Sequence, residues 1–299
     1  MVRVVEPSHA GAAPVLFLHG ARTSRTMWRA QVEAVQATGR RAVAIDLPGH
    51  GERMAERFDV EGAMARIGSA VDDLGGRAVL VGLSLGGYLA IAYAARHPER
   101  VAGLLAAGCS TRPDVPAVRA WRQAVRVIER LPDRGAGLNA ALVRAALPPT
   151  GAADLAAGGF ALDVMTDVLT RMPAVRPLED LPLLRCPVWL VNGRWDHFRG
   201  QERAYLRAAP GARLVVVPGA THLVNLVRPV AFTRTLLAAL DEVDRVEAGG
   251  AQPADGLGVR SDHARTPPTI PAELGTTTTS SPRASSVAGR IRRALPPPR

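Results

Sequence analysis

The sequence has no lysine, few aromatic residues and only two cysteines. All 37 basic residues are therefore arginine, and together with the abundant alanine, glycine and proline this indicates a codon bias behind the formal charge of +10. The arginines are scattered, and aromatic residues make up 4% of the chain, so the sequence lacks the basic cluster with interleaved aromatics that is typical of a nucleic-acid site. We expect a diffuse basic surface and no nucleic-acid partner.

Metal-binding, disulfide and membrane signals are also missing. Cys109 and Cys186 have no ligand spacing and form no disulfide framework, so we expect buried thiols. Without a C-x-x-C or H-E-x-x-H segment, we expect no metal site. No apolar run approaches the ~18 residues of a membrane-spanning helix. The N-terminus, MVRVVEPSHA, has no apolar signal core, and we expect a cytoplasmic protein.

Residues 1–111 alternate between short apolar runs and segments with helical spacing. The predicted strands are Val15–Leu18, Ala42–Ile45, Ala78–Val81 and Val101–Ala107. Continuous apolar strands separated by helices of about 10–15 residues predict a parallel sheet that is covered on both faces. This is the pattern of a doubly wound α/β fold.

The strand pattern disappears between residues 112 and 184, where helices are predicted at Val115–Leu131, Leu138–Ala146 and Asp154–Met172. We expect this block to form a helical cap over the strand ends. Strands Val188–Val191 and Arg213–Val217, with helices Glu202–Ala208 and Pro229–Val246, then resume the alternation. The predicted organisation is a core at 1–111, a cap at 112–184, the rest of the core at 185–246, and a tail at 247–299. The tail is rich in proline, threonine, serine and arginine, and its low hydrophobicity predicts disorder.

The segment AVLVGLSLGGYLAIAYAAR, residues 78–96, joins a strand pattern directly to a helix pattern. Ser84 lies at the junction, and the small residues beside it allow a sharp turn that holds its Oγ clear of the backbone. The start of the following helix directs N–H groups and a positive dipole end toward whatever the serine attacks. We predict that Ser84 is the nucleophile of a serine hydrolase.

A serine hydroxyl needs a base, usually a histidine that is oriented by a carboxylate. Asp196, in NGRWD, follows the fifth predicted strand, and His222, in PGATH, follows the sixth. Ligand sites in parallel sheets lie at the carboxyl ends of the strands, and the chain order nucleophile, acid, base is that of such hydrolases. We predict the triad Ser84, Asp196 and His222. Asp114, beyond the fourth strand, is the competing acid.

The oxyanion that forms in acyl transfer requires two N–H donors placed in advance. We expect one from Leu85, directly after the nucleophile, and the other from Ala21, with Arg22 as the alternate. His19 is interpreted as a residue that shapes the loop after the first strand.

The remaining histidines have weaker claims to a catalytic role. His9, His97 and His263 are interpreted as surface residues. His197, beside the predicted acid, either contributes to binding or is simply exposed.

The segments VLFLHGAR, IDLPGHG, GLSLGG, NGRWD and PGATH, with the region of Trp28 and Gln31, together resemble the α/β-hydrolase superfamily. The resemblance is to its cap-bearing serine esterases, lactonases and carbon–carbon bond hydrolases, and it covers about residues 13–240 apart from the cap. It implies a mixed, mostly parallel sheet, no cofactor and an acyl-enzyme intermediate. Serine at the turn argues against haloalkane dehalogenases and epoxide hydrolases, which carry aspartate there.

The expected activity is hydrolysis of an ester-type acyl bond in a small-molecule substrate. The same triad also fits a β-diketone hydrolase, a lactonase or a thioesterase, and a ligand-binding protein of this fold can keep the triad without catalysis. Apolar cap residues such as Trp121, Leu138 and Phe160 either line a pocket or fill the inner faces of the helices. The sequence is also compatible with a homodimer.

Overall fold

A computed structural model describes residues 11–128, 130–133 and 135–250 of the chain. The described strands are β1 (Val15–Leu18), β2 (Ala42–Ile45), β3 (Ala78–Leu83), β4 (Val101–Ala107), β5 (Val188–Gly193) and β6 (Arg213–Val217). The helices before β4 are α1 (Arg29–Gln36), α2 (Val60–Asp73) and α3 (Leu85–Arg96). Between β4 and β5 come α4 (Pro116–Ile128), α5 (Ala136–Ala146), α6 (Pro149–Ala157), α7 (Met165–Arg171) and α8 (Pro177–Asp180). The remaining helices are α9 (Glu202–Ala208), α10 (Val224–Val227) and α11 (Pro229–Gly250).

The strands form one sheet in the order β2-β1-β3-β4-β5-β6. Each of the five pairings among the described strands is parallel, which confirms the predicted mostly parallel sheet. At least one helix lies between each pair of described strands that are consecutive in the chain, which allows the chain to return and enter the sheet in the same direction. All carboxyl ends of the strands consequently lie at one edge of the sheet.

Two apolar cores cover the two faces of this sheet. Along β1 the side chains alternate, so that Leu16 and Leu18 join the core formed with α2, α3 and α9. Val15 and Phe17 instead join the core formed with α1 and α11. This alternation explains why β1 reads as a continuous apolar run, because both of its faces are buried.

A buried ion pair attaches the last helix to the sheet. Arg40, whose side chain is 1% exposed, pairs with Asp244 of α11. Its other terminal nitrogen, Nη1, donates a hydrogen bond of 2.9 Å to the carbonyl oxygen of Ala13, just before β1. The guanidinium thereby links α11, the approach to β1 and the turn before β2.

The structure departs from the sequence prediction at several boundaries. The predicted helix Asp154–Met172 is divided into α6 and α7, since Gly158 and Gly159 separate them and glycine disfavours helix. α11 extends to Gly250, four residues beyond its predicted end at Val246. The rest of the predicted tail, residues 251–299, lies outside the described residues. Within residues 11–250 as described, no helix combines the length and apolarity needed to cross a membrane.

Candidate active site

Ser84 lies between β3 and α3 in a strained backbone conformation. Its φ of 54° and ψ of −114° fall outside the usual regions for a residue with a side chain. Such a conformation costs on the order of 1–3 kcal/mol and persists only when its surroundings hold it. The Ser84 N–H donates a hydrogen bond of 2.8 Å to the carbonyl oxygen of Ala107, at the end of β4. The half-buried serine is thus fixed at the carboxyl edge of the sheet.

Gly86 makes this sharp turn possible. A Cβ at this position would collide with the carbonyl oxygen of Leu18, at the end of β1. The Gly86 N–H also donates a hydrogen bond of 3.1 Å to the carbonyl oxygen of His19. The first turn of α3 therefore packs directly against the loop that follows β1.

Asp196 and His222 form a hydrogen-bonded pair beyond β5 and β6. The Nδ1 atom of His222 lies 3.0 Å from Oδ1 of Asp196. The Phe198 N–H donates to the same oxygen at 2.8 Å. Burial acts to raise the pKa of the Asp196 carboxyl, but the hydrogen bond and charge of His222 and the Phe198 N–H outweigh it, so this pKa is lowered. The carboxylate is therefore ionised at neutral pH and holds His222 with its Nδ1 proton facing the acid.

Gly108 connects this pair to the strand that also holds Ser84. It directly follows Ala107 and has a φ of +60°. A Cβ at Gly108 would lie 3.1 Å from Cε1 of His222 and 3.2 Å from Oδ2 of Asp196. The end of β4 therefore contacts the serine turn through Ala107 and the acid–histidine pair through Gly108. Among the hydrogen bonds of the described residues, none joins Ser84 Oγ to His222.

The loop after β1 lies beside the serine. A Cβ at Gly20 would be 3.7 Å from Cβ of Ser84. Across the described part of the chain, the N–H groups of Ala21, Arg22 and Leu85 donate no hydrogen bond to protein atoms. Arg22, the alternate donor, has a φ of +64°, and its Nη2 donates to Oδ1 of Asn139 in α5 at 2.7 Å. The Leu85 N–H directly follows Ser84 in the chain, and the Ala21 and Arg22 N–H groups belong to the loop whose Gly20 lies beside the serine.

Asp114 is engaged elsewhere. Its two carboxylate oxygens accept hydrogen bonds from Nε and Nη2 of Arg112, at 2.9 Å and 2.6 Å. Asp196, and not Asp114, is the carboxylate that is hydrogen-bonded to His222.

The rings of His19 and His50 contact each other in the buried region behind the loop after β1, with centroids 4.7 Å apart and planes tilted by 54°. His19 Nδ1 donates to the carbonyl oxygen of Gly20 at 2.8 Å, and its Nε2 accepts from the Leu47 N–H at 3.0 Å. Burial, with a contribution from His50, lowers the pKa of His19 to about 3. Burial likewise lowers the pKa of His50 to about 4. Both rings are neutral, and His19 ties the loop after β1 to the loop after β2.

His197 is exposed and yet belongs to the site. Its side chain is 70% exposed, and its Nδ1 is 3.9 Å from Oδ1 of Asp196. Its ring centroid lies 5.0 Å from that of His222. His97 instead stacks on Tyr93, and His9 and His263 lie outside the described residues. Sequence reasoning did not find the contact between His197 and His222, although adjacency to the acid was a partial signal.

The comparisons with known proteins agree on the family of this chain. The alpha/beta hydrolase family matches residues 15–235. The chain is 37% identical over 91 residues to a pimeloyl-[acyl-carrier protein] methyl ester esterase of Neisseria meningitidis, covering 30% of this chain and 34% of that protein. It is 34% identical over 110 residues to a 2-hydroxy-6-oxononadienedioate/2-hydroxy-6-oxononatrienedioate hydrolase of Burkholderia vietnamiensis, covering 34% and 38% of the two chains. The match spans little more than a third of the length of these curated relatives.

A solved structure of a thermophilic esterase from Thermogutta terrifontis is similar over a longer range. It aligns with a TM-score of 0.64 and 28% identity, covering 77% of this chain and 90% of the esterase. The parallel sheet, the serine turn after β3 and the family match over residues 15–235 agree. The chain therefore belongs to the alpha/beta hydrolase family.

Proposed function

We propose that this enzyme hydrolyses an ester-type acyl bond of a small molecule, with Ser84 as nucleophile, His222 as general base and Asp196 as the orienting acid. The observation that carries the proposal is the 3.0 Å hydrogen bond between His222 and Asp196. This pair packs on Gly108, one residue beyond the carbonyl that holds the Ser84 N–H. The arrangement supplies the three groups that nucleophilic acyl transfer requires.

In the proposed reaction, Nε2 of His222 accepts the proton of Ser84 Oγ as this oxygen adds to the substrate carbonyl. Asp196 remains ionised and stabilises the imidazolium that forms. His222 then gives the proton to the leaving alcohol, which produces an acyl-enzyme. A water molecule, deprotonated by the same nitrogen, releases the carboxylic acid and restores Ser84. Contact between Ser84 and His222 tightens when substrate is bound, as is common for catalytic hydrogen bonds that are long in the free enzyme.

The N–H groups of Ala21 and Leu85 are the proposed donors to the oxyanion. Leu85 directly follows Ser84, Ala21 follows Gly20 in the loop beside it, and neither N–H donates to another group among the described residues. Loss of one such donor reduces kcat by roughly 10²–10³-fold in serine hydrolases. Because both are backbone groups, the positions of Gly20 and Gly86 control them more than side-chain identity does.

The relatives support the choice of an ester as first substrate. One is an esterase that acts on a methyl ester, and the similar solved structure is also an esterase. The 2-hydroxy-6-oxononadienedioate hydrolase makes carbon–carbon bond cleavage the second candidate. The two reactions are separated by assaying p-nitrophenyl esters of graded acyl length beside a β-diketone.

The nucleophile is tested by Ser84→Ala, with Ser69→Ala as the matched control. Ser69 is exposed on α2, away from the serine turn. Ser84→Ala is expected to lower kcat on the order of 10⁶-fold where chemistry is limiting and to abolish labelling by a fluorophosphonate probe. Ser69→Ala should match the parent in both measurements. Substantial ester turnover or labelling in Ser84→Ala would show that the proposed nucleophile is wrong.

A further inference from the structure

Three potential metal ligands meet beside the proposed base. Asp196, His197 and His222 each present one donor atom, and these atoms all lie within 4.8 Å of one another. Oδ1 of Asp196 is 3.0 Å from Nδ1 of His222 and 3.9 Å from Nδ1 of His197. The hydrolytic mechanism uses Asp196 and His222 but assigns no role to His197.

This donor set suits Zn²⁺. Zinc binds imidazole nitrogen and carboxylate oxygen at about 2.0–2.2 Å in a tetrahedral arrangement, often with three protein ligands and one water. Ligand atoms around such an ion are roughly 3.4 Å apart, as those bond lengths and the tetrahedral angle require. The two separations from Oδ1 of Asp196, 3.0 Å and 3.9 Å, bracket this value, and all three donor atoms lie within 4.8 Å of one another. Only small movements are therefore needed to enclose an ion.

The surroundings permit those movements. His197 is largely exposed, so its ring can rotate and leave the fourth position open to solvent. Oδ2 of Asp196 is buried and has no hydrogen-bond partner among the described residues, which leaves it available as a ligand. The nearby cation Arg199 is paired with Glu202 at 2.6 Å, so its charge is compensated.

We propose that Asp196, His197 and His222 form an inhibitory Zn²⁺ site. The ion binds Nδ1 of both histidines and a carboxylate oxygen of Asp196, and it replaces the hydrogen bond between His222 and the acid. Neutral His222 then carries its single ring proton on Nε2 instead of Nδ1, with solvent moving the proton and none lost overall. A protonated Nε2 cannot accept the proton of Ser84. Zinc binding is independent of the proposed function, whereas the inhibition rests on it.

Binding is measured first, by calorimetric titration of the metal-free full chain with ZnCl₂. We expect one ion per chain, bound at least tenfold more weakly by His197→Gln. His197→Cys keeps a zinc ligand and should retain binding within about threefold of the parent, which separates loss of a ligand from damage to the fold. The matched control is His97→Gln, since His97 contacts Tyr93 and not the site. This variant should bind as the parent does.

Inhibition is then measured as the ratio of p-nitrophenyl ester turnover in EDTA to turnover in Zn²⁺, with each variant as its own reference. The zinc concentration for half-inhibition should rise at least tenfold in His197→Gln and stay unchanged in His97→Gln. Equal zinc affinity in the parent and His197→Gln, or binding that His97→Gln abolishes, overturns the site. Binding through His197 without any ester turnover would sustain the zinc site and count against the proposed function. Ester turnover that zinc does not inhibit would support the proposed function and would overturn the inhibitory role of the site.

Discussion

Gly108→Ala tests whether the end of β4 sets the position of the acid–histidine pair. The new Cβ would lie 3.1 Å from Cε1 of His222 and 3.2 Å from both Nδ1 of His222 and Oδ2 of Asp196. Carbon atoms pack best at about 3.5–4.0 Å, so the pair must move by several tenths of an ångström. Alanine at a φ of +60° also costs on the order of 1–2 kcal/mol.

The Gly211→Ala variant separates the displacement of the acid–histidine pair from the cost of alanine at a positive φ. Gly211 also has a positive φ, +92°, but a Cβ there would meet no atom within 4 Å. Both variants should lose about 1–2 kcal/mol of unfolding free energy in urea. Because a misplacement of ~1 Å can cost about 100-fold in rate, Gly108→Ala should also lose roughly 10-fold or more in kcat/KM for a p-nitrophenyl ester. Gly211→Ala should keep the parent kcat/KM.

Equal kcat/KM in the two variants would refute the reasoning. It would mean that the histidine and the acid tolerate displacement from the strand end, or that their observed position is not the one used in turnover. A loss of activity in Gly211→Ala comparable to that in Gly108→Ala would point to backbone strain as the cause.

Three further predictions concern the acid, the buried histidines and the last helix. Asp196→Asn should lower kcat about 10⁴-fold while Asp114→Asn, the competing acid, leaves it near the parent value in the same ester assay; comparable losses would contradict the assignment. His50 has a folded-state pKa of about 4, so it takes up a proton on unfolding between that pH and its ordinary 6.5, and stability should fall as pH decreases through this window. The slope of the unfolding free energy against pH, measured with urea, reports the number of protons taken up on unfolding. At pH 5 the His50→Asn variant should take up about one proton fewer than the parent. An unchanged slope would show that His50 is not neutral in the folded protein. Arg40→Met breaks the buried pair with Asp244 and should lower the unfolding free energy by about 3 kcal/mol, whereas an unchanged urea midpoint would show that the pair contributes nothing.

Most of the core could be predicted from the sequence because each strand is a short apolar run with a polar or small residue at its end. The predicted strand Val101–Ala107 and helix Glu202–Ala208 have the bounds that the structure shows. Ser84, Asp196 and His222 were assigned as residues that follow strands, and the parallel sheet brings those ends to one edge. Their catalytic roles stay a prediction.

Features that depend on contacts across the fold could not be read from local pattern. Gly108 looks like any loop glycine until His222 and Asp196 are packed against it. His197 and His222 are close in space, although they lie on loops that follow different strands. The four-residue helix α10 was missed, since it is too short to show a helical period.

The direct pairing of β4 with β5, with Leu104 opposite Val188, has a consequence for how this enzyme can change. The segment from α4 to α8 can be treated as one long loop, whose two ends are held by the neighbouring strands β4 and β5. Doubling the length of such a loop adds only about 0.6 kcal/mol to the entropy of closing it. Substitution or exchange of this run should therefore leave Ser84, Asp196 and His222 in place at the ends of their own strands. The insertion can vary in sequence and length while the sheet keeps its stability.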